Sequence, residues 1–286
     1  MVKTINQLRP KFTTNADGSD AVLFIHELVG EEAGPTVGIS ASIHGNENTG
    51  SQAILELFHI LKDMPLKGRI LLLPVANPSA FAVNERYATI DKVDLNRQFP
   101  GNPKGTYSQQ LAHALTEQYL NVIDIHIDLH SGTDRPTVDY VYIWNDEELS
   151  RAFGSKVLYR PVENKQGTVF GGTTKSVTID TRNIPVAVIE LGGGIVDQTP
   201  ISSARSTAFS TCCGPRGSSR VKSRPTPSRS SSPSWPVFDL HRAVSSKRWL
   251  PRTGKPLPAI NCSAASSAPT ISKCSKRSRP RSRTAS

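Results

Sequence analysis

Thr36-Val37-Gly38-Ile39-Ser40-Ala41-Ser42-Ile43-His44-Gly45-Asn46-Glu47 is the stretch on which the reading of this chain turns. A strand-like run ends in a polar turn, and residues 48–63 then read as a helix with Ile54, Leu57, Phe58 and Leu61 on one face. Pro65 and Gly68 end that helix. Upstream, Ala21–Val29 is β-rich and Gly34-Pro35 punctuates it. Downstream, Arg69–Val75 is a continuous apolar run, the pattern of a strand buried in a parallel sheet. Asn77-Pro78 opens a loop reaching to about Pro103, too long for a simple connection and therefore expected to serve a function. Tyr107–Tyr119 reads as a second amphipathic helix through Leu111, Ala114 and Leu115. In Val122–Leu129 the apolar Ile123, Ile125, Ile127 and Leu129 alternate with Asp124, His126 and Asp128, and His130 follows on the polar face. Val138–Trp144 is another strand, residues 167–182 are mixed with room for a short helix, and Ile184–Leu191 is the last clear strand before Gly192-Gly193-Gly194. This order predicts an α/β sheet covered by helices on both faces.

The composition divides the chain sharply near residue 200. The net charge is +10, but residues 201–286 carry 17 of the 34 basic side chains and one of the 24 acidic ones, Asp239. Residues 1–200 therefore set 17 basic against 23 acidic groups, net −6, and the tail is net +16. All four cysteines, Cys212, Cys213, Cys262 and Cys274, lie in the tail without zinc-finger spacing. A Ser/Arg/Pro-rich segment with so few periodic apolar residues buries too little to offset its ordering entropy, so disorder is expected there. No apolar run reaches membrane-spanning length, and Met1–Gln7 lacks the apolar core of a signal peptide. The expectation is a cysteine-free folded domain over residues 1–200, in the cytoplasm, with no membrane partner.

Polar residues at the ends of several strands are how α/β proteins build active sites. His44 and Glu47 stand three apart across a turn that Gly45 and Asn46 suit, so both can aim at one point. His130 ends a second strand and would supply a third ligand; His126, on the same strand face, is the alternative. Two imidazoles and a carboxylate hold a catalytic zinc with one position open. Glu190 ends a third apolar strand, where a carboxylate is costly unless it is paired or used, and fits a general base and acid. In the long loop, Asp94-Leu95-Asn96-Arg97 places an amide beside a guanidinium that can grip a carboxylate, and Arg86 can serve a developing oxyanion. Asp128 could orient a ligand histidine or be an ordinary polar residue near a strand end. His26 and His59 read as structural, and Arg135 and Arg182 as cations without a motif.

Taken in order and spacing, His44-Gly45-Asn46-Glu47, Asp94-Leu95-Asn96-Arg97, Asp128-Leu129-His130-Ser131-Gly132 and Ile189-Glu190-Leu191-Gly192-Gly193 resemble the succinylglutamate desuccinylase/aspartoacylase family, within the zinc carboxypeptidase (M14-like) superfamily. The resemblance runs from about residue 20 to 200. It implies a zinc carboxypeptidase-like α/β fold with a mixed, mostly parallel sheet. It implies one zinc ion on His44, Glu47 and His130, with Glu190 as general base and acid and Arg86 polarising the carbonyl. Asn96 and Arg97 would bind the substrate carboxylate. The implied reaction is hydrolysis of an N-acyl amino acid or related small anionic amide, a C–N bond other than a peptide bond. The rival is a metallocarboxypeptidase acting on peptides.

The family continues beyond this glutamate with a helix and a small β-rich domain, whereas this chain turns Ser/Arg-rich after Pro200. Codons exist for Ile201–Gly217 that in a neighbouring frame encode an amphipathic helix ending in glycine, so a reading-frame shift near Pro200 is expected. The encoding DNA decides it: codons unable to yield that helix in any other frame sink the idea. The opposing function class is a truncated, inactive product whose basic tail contacts anions or nucleic acid non-specifically.

Overall fold

A computed structural model describes residues 2–133, 139–161 and 171–193. The expectations for residues 201–286, including the frame shift, and for Arg135 lie outside the described residues.

The chain enters with β1 (Val2–Leu8), β2 (Lys11–Thr14), β3 (Asp20–Val22), β4 (Ile25–Gly30) and β5 (Glu32–Ala41), followed by α1 (Thr49–Leu61) and β6 (Lys67–Leu73). A short α2 (Pro78–Phe81) and a 3-10 turn (Leu95–Arg97) interrupt the long loop. Then come α3 (Tyr107–Leu115), a π-helical turn (Thr116–Leu120), β7 (Ile125–His130), β8 (Tyr140–Ile143), α4 (Glu147–Ala152), β9 (Val157–Tyr159), a second π-helical turn (Ser176–Thr181) and β10 (Val186–Glu190).

Eight strands form one sheet in the order β1-β4-β6-β5-β7-β10-β8-β9, and β2 and β3 pair separately. The central strands β6, β5, β7 and β10 run parallel, β1, β4 and β8 join antiparallel, and β9 lies parallel to β8. The sheet is therefore mixed and mostly parallel at its centre. On one face α1 packs Ala53, Ile54, Leu57 and Leu61 against Ile39, Ile127 and Ile189, and α4 adds Leu149. On the other, α3 packs Leu111 and Leu115 with Tyr119 against Ile25, Leu71 and Val186. Helices cover both faces. Among the described residues no helix is long and apolar enough to cross a membrane.

Several local expectations need correction. The β-rich run at 21–29 splits into β3 and β4, and β1 and β2 had no counterpart in the sequence reading. Gly34-Pro35 does not end a strand but lies inside β5, where pairing with β6 shifts between Glu32 and Thr36. A Cβ on Gly34 would come within 2.8 Å of the Gly68 nitrogen, so that glycine serves a close backbone approach rather than a stop. β7 alternates in chemistry but is buried on both faces. Its polar face is absorbed by partners described below.

Register places the strand ends. Ser40 pairs with Asp128 and Ala41 with Leu129 across β5 and β7, and Glu190 pairs with His130 across β10 and β7. Side chains alternate faces along a strand, so Ser40, His126, Asp128, His130, Val188 and Glu190 all point to the α3 side. Three parallel strands thus end beside one another with their polar residues on one face.

Candidate metal centre

The turn after β5 is shaped by its own hydrogen bonds. Ser42 takes φ +51°, a left-handed conformation uncommon for a non-glycine residue, and bends the chain out of the sheet. Its hydroxyl bonds Glu47 O at 3.1 Å and meets Ser51 Oγ at 2.6 Å. Glu47 N donates to His44 O at 3.2 Å, closing the turn. The turn brings His44 Nδ1 to 2.7 Å from Glu47 Oε1, and β7 brings His130 Nδ1 to 2.9 Å from Glu47 Oε2.

Both histidines therefore present Nδ1 to the same carboxylate. Their far nitrogens each meet another acid: His44 Nε2 lies 3.2 Å from Asp94 Oδ1, and His130 Nε2 lies 3.5 Å from Asp128 Oδ2. A proton held on Nε2 by an outer carboxylate leaves the Nδ1 lone pair for a cation, the arrangement that orients metal-bound histidines. The ligand atoms of His44, Glu47 and His130 lie within 4.8 Å of one another, and all three residues are buried. Two imidazole nitrogens and one carboxylate oxygen fit a catalytic zinc. His126, the alternative ligand, sits deeper in β7 with Nε2 2.9 Å from Ser40 Oγ and lies outside this cluster.

The electrostatics favour positive charge at this point. Burial alone would raise the Glu47 carboxyl, but His130 and His44 outweigh it and hold it down to about 2. Burial likewise opposes ionisation of Asp128 and Asp94, yet the adjacent histidines, with Arg86 and Arg97 beside Asp94, hold both well below the usual carboxylate range. Burial pushes His130 down, while Glu47 and Asp128 push it up further and win. Glu190 goes the other way: burial, with Glu47 and Asp128 nearby, raises its carboxyl despite His130 and His44.

A cavity of about 200 Å³ joins these groups, lined among others by His44, Glu47, His130, Glu190, Arg86, Asn96 and Arg97. All seven residues singled out from the sequence thus meet in one space. Arg86 Nη1 lies 3.4 Å from Glu47 Oε1 and Nη2 3.3 Å from Asp94 Oδ2. Arg97 Nη1 donates to the Asn96 carbonyl at 2.6 Å. Asn96 Oδ1 accepts from Thr174 N at 3.2 Å. The stretch of the long loop that carries Asn96 and Arg97 is held on either side: Asp91 accepts from Ser108 N and Oγ at 2.8 Å each, and Phe99 N donates to Gly172 O at 2.8 Å. A pinned loop delivers its side chains with little freedom to lose.

Other residues at the cavity had no signal strong enough to mark them. Asp94 was quoted only as part of a motif, yet it joins His44 to Arg86. Lys175 is buried in the cavity wall, 2.8 Å from Asp180 Oδ1 and 5.2 Å over the Trp144 ring. Tyr142 stacks on Trp144 with ring centroids 5.8 Å apart. Lys175, Tyr142 and Trp144 lie on or just after β8 and in the mixed segment before β10, where no motif distinguishes one polar or aromatic residue from another. Arg182 proves structural, donating to Leu120 O at 2.5 Å and Ile123 O at 2.6 Å.

Comparison with known proteins agrees with this arrangement. Residues 33–211 match the succinylglutamate desuccinylase/aspartoacylase catalytic domain. The N-alpha-acetyl-L-2,4-diaminobutyric acid deacetylase of Halomonas elongata is 28% identical over 204 residues, covering 60% of this chain and 59% of the relative. This chain therefore spans well under two thirds of that protein. Among solved structures, a succinylglutamate desuccinylase from Silicibacter sp. TM1040 superposes with a TM-score of 0.61 at 24% identity, over 72% of this chain and 64% of the other. A metallo-carboxypeptidase from Burkholderia cenocepacia shares the fold with a TM-score of 0.55 at 12% identity, over 71% and 63%. With the family model matching more than half of its length, the chain belongs to the succinylglutamate desuccinylase/aspartoacylase family.

Proposed function

We propose that residues 1–200 form the catalytic domain of a zinc-dependent hydrolase that cleaves the amide bond of an N-acyl amino acid or a related small anionic amide. The observation that carries this reading is the meeting of His44, Glu47 and His130 with Glu190, Arg86, Asn96 and Arg97 in one cavity. The deacetylase named for the Halomonas relative supports the same reaction class.

His44, Glu47 and His130 would hold the ion. A bound zinc supplies a Lewis acid and brings the pKa of water down to about 7. Glu190, with its raised proton affinity, takes the proton from the attacking water and passes it to the leaving amine. Arg86 faces the carbonyl oxygen as negative charge develops there; one such donor contributes about 2.7–4 kcal/mol to the transition state. Arg97 grips the substrate carboxylate through its guanidinium, and Asn96 braces it. Lys175 adds a third cation to the wall beside Arg86 and Arg97, which favours an anionic small molecule. The cysteine-free composition of this part fits a cytoplasmic setting.

The test is metal analysis of the purified chain together with amine release from a panel of N-acyl amino acids and C-terminal peptides. Stoichiometric zinc, with amine release lost in His44→Ala and in Glu190→Gln, is the expected result. Turnover of peptides in preference to N-acyl amino acids would replace the deacylase by a carboxypeptidase. A zinc-free, inactive chain would leave only the basic tail as a source of function.

A further inference from the structure

The polar face of β7 holds more buried hydrogen-bonding groups than the metal site uses. Asp128 Oδ1 accepts from Ser40 Oγ at 2.7 Å, and Asp128 Oδ2 accepts from Thr174 Oγ1 at 3.0 Å while facing His130 Nε2. Ser40 Oγ also lies 2.9 Å from His126 Nε2. His126 and Asp128 are essentially inaccessible, and Ser40 is buried. His126 Nδ1 has no hydrogen-bond partner among the described residues.

Directions follow from proton counting. An ionised carboxylate only accepts, and a serine has one proton to give. Ser40 therefore donates to Asp128 and must accept from His126, which places the His126 proton on Nε2 and leaves a bare lone pair on Nδ1. A buried lone pair without a partner is better tolerated than a buried N–H without one. The result is a set of donors converging on Asp128: His126 N–H to Ser40, Ser40 O–H to Asp128, His130 N–H to the same carboxylate from the other side, and Thr174 O–H beside it.

The backbone makes room for this chain. Gly38 lies opposite His126 in the register, and a Cβ there would meet Ile123 at 2.8 Å and the Tyr119 hydroxyl at 2.9 Å. Tyr119 in turn packs edge-on to the His126 ring at 6.2 Å. The His126 ring is thereby packed by Tyr119 and given room by the missing side chain at Gly38.

We propose that Ser40 and His126 are positioning residues of the metal centre, acting on the ion through Asp128 and His130. They lock the Asp128 carboxylate in the rotamer that holds the His130 proton on Nε2, and so keep His130 Nδ1 aimed at the ion. The proposal rests on the zinc reading given above. It assigns a role to a buried histidine that the reaction itself leaves unused.

The experiment compares zinc affinity by chelator competition in the full chain, Ser40→Ala, Ser40→Thr and Ile39→Val. Loss of an outer hydrogen-bonding partner costs about 10–100-fold in metal affinity. Ser40→Ala is expected to bind zinc at least about tenfold more weakly, at the lower end of that range. Ser40→Thr, which keeps the hydroxyl, restores most of the affinity. Ile39→Val, on the opposite face of β5, leaves affinity as in the parent. Unchanged zinc affinity in Ser40→Ala overturns the proposal while leaving the zinc reading intact; no zinc binding by the parent overturns both. A second measurement needs no variant. In selectively ¹⁵N-histidine-labelled parent chain, His126 is expected as the neutral Nε2–H form, and an Nδ1–H form would overturn the relay even if Ser40→Ala failed to fold.

Discussion

Replacing Gly45 by alanine tests how the turn that carries His44 and Glu47 is built. From sequence, this glycine reads as a turn former. The structure gives a different reason: a Cβ there would stand 2.1 Å from Ala80 C, 2.3 Å from Phe81 N and 2.4 Å from Ala80 O, all backbone atoms of α2. Ordinary carbon contacts begin near 3.5 Å, so turn and helix must part by ~1.4 Å. Neither can yield freely, because Asn77, which caps α2, ties itself to the turn through Ser42 O at 3.0 Å and Ile43 O at 3.3 Å. Overpacking of this kind costs about 1–3 kcal/mol, and at about 2–4 °C per kcal/mol for a domain of this size the melting temperature should fall by roughly 2–12 °C. The same displacement falls on His44 and Glu47. A misplacement near 1 Å can cost about 10²-fold in rate. The assay is a thermal melt and a zinc competition titration of Gly45→Ala beside Gly171→Ala, whose added Cβ meets nothing within 4 Å. Gly171→Ala should match the parent. If Gly45→Ala also melts and binds zinc like the parent, the close-approach argument is wrong.

Other outcomes follow from the same geometry. Burial raises the Glu190 carboxyl above the usual glutamate value. Its contribution to stability is thus whole below the unfolded value and lost as pH rises through the raised folded one. With zinc chelated, Glu190→Gln should therefore melt higher than the parent at pH 7 and equally near pH 4, and identical curves at both would refute the raised proton affinity. Arg182→Met strips two carbonyls of their charged partner and should cost about 1.5–3 kcal/mol in denaturant melts while leaving zinc affinity unchanged. Zinc at about 1,000 times its dissociation constant should stabilise the chain by about 4.1 kcal/mol, seen as a fall in melting temperature on chelation that His44→Ala abolishes. Lys175→Met should raise KM for an anionic N-acyl substrate by about tenfold with little change in kcat, since one exposed-to-ligand charge pair is worth on the order of 1 kcal/mol.

The residues whose chemistry is costly without a purpose were the legible ones. Glu190 at the end of an apolar strand and His44 and Glu47 across a short turn announce themselves, and the cavity contains them all. What a linear pattern cannot convey is strand order. The adjacency of β5, β7 and β10, which sets His130 beside Glu190, comes from crossovers by helices that bury both faces. Strand alternation alone did not separate His130 from His126, because both lie on one face of β7; in space His130 joins the His44–Glu47 cluster, whereas His126 meets Ser40. Lys175 and Trp144 were invisible for another reason. Lys175 falls in the mixed segment and Trp144 at the end of a strand-like run, and only their approach to 5.2 Å shows that they share a wall. Gly34 shows the opposite error, where a glycine-proline pair looked like an ending and serves a close contact within a strand.

Glu47 and His130 are 83 residues apart in the chain yet 2.9 Å apart in space. In an unfolded chain, drawing two such points together costs about 4.5 kcal/mol of chain entropy, by the relation used for cross-links. The parallel pairing of β5 with β7 meets that cost before any ion arrives. The folded chain should then outcompete its own unfolded form for zinc by roughly 2,000-fold from loop closure alone. A tightly held ion would thus report that the centre of the sheet has assembled in its proper register, and zinc retention would serve as a check on folding quality.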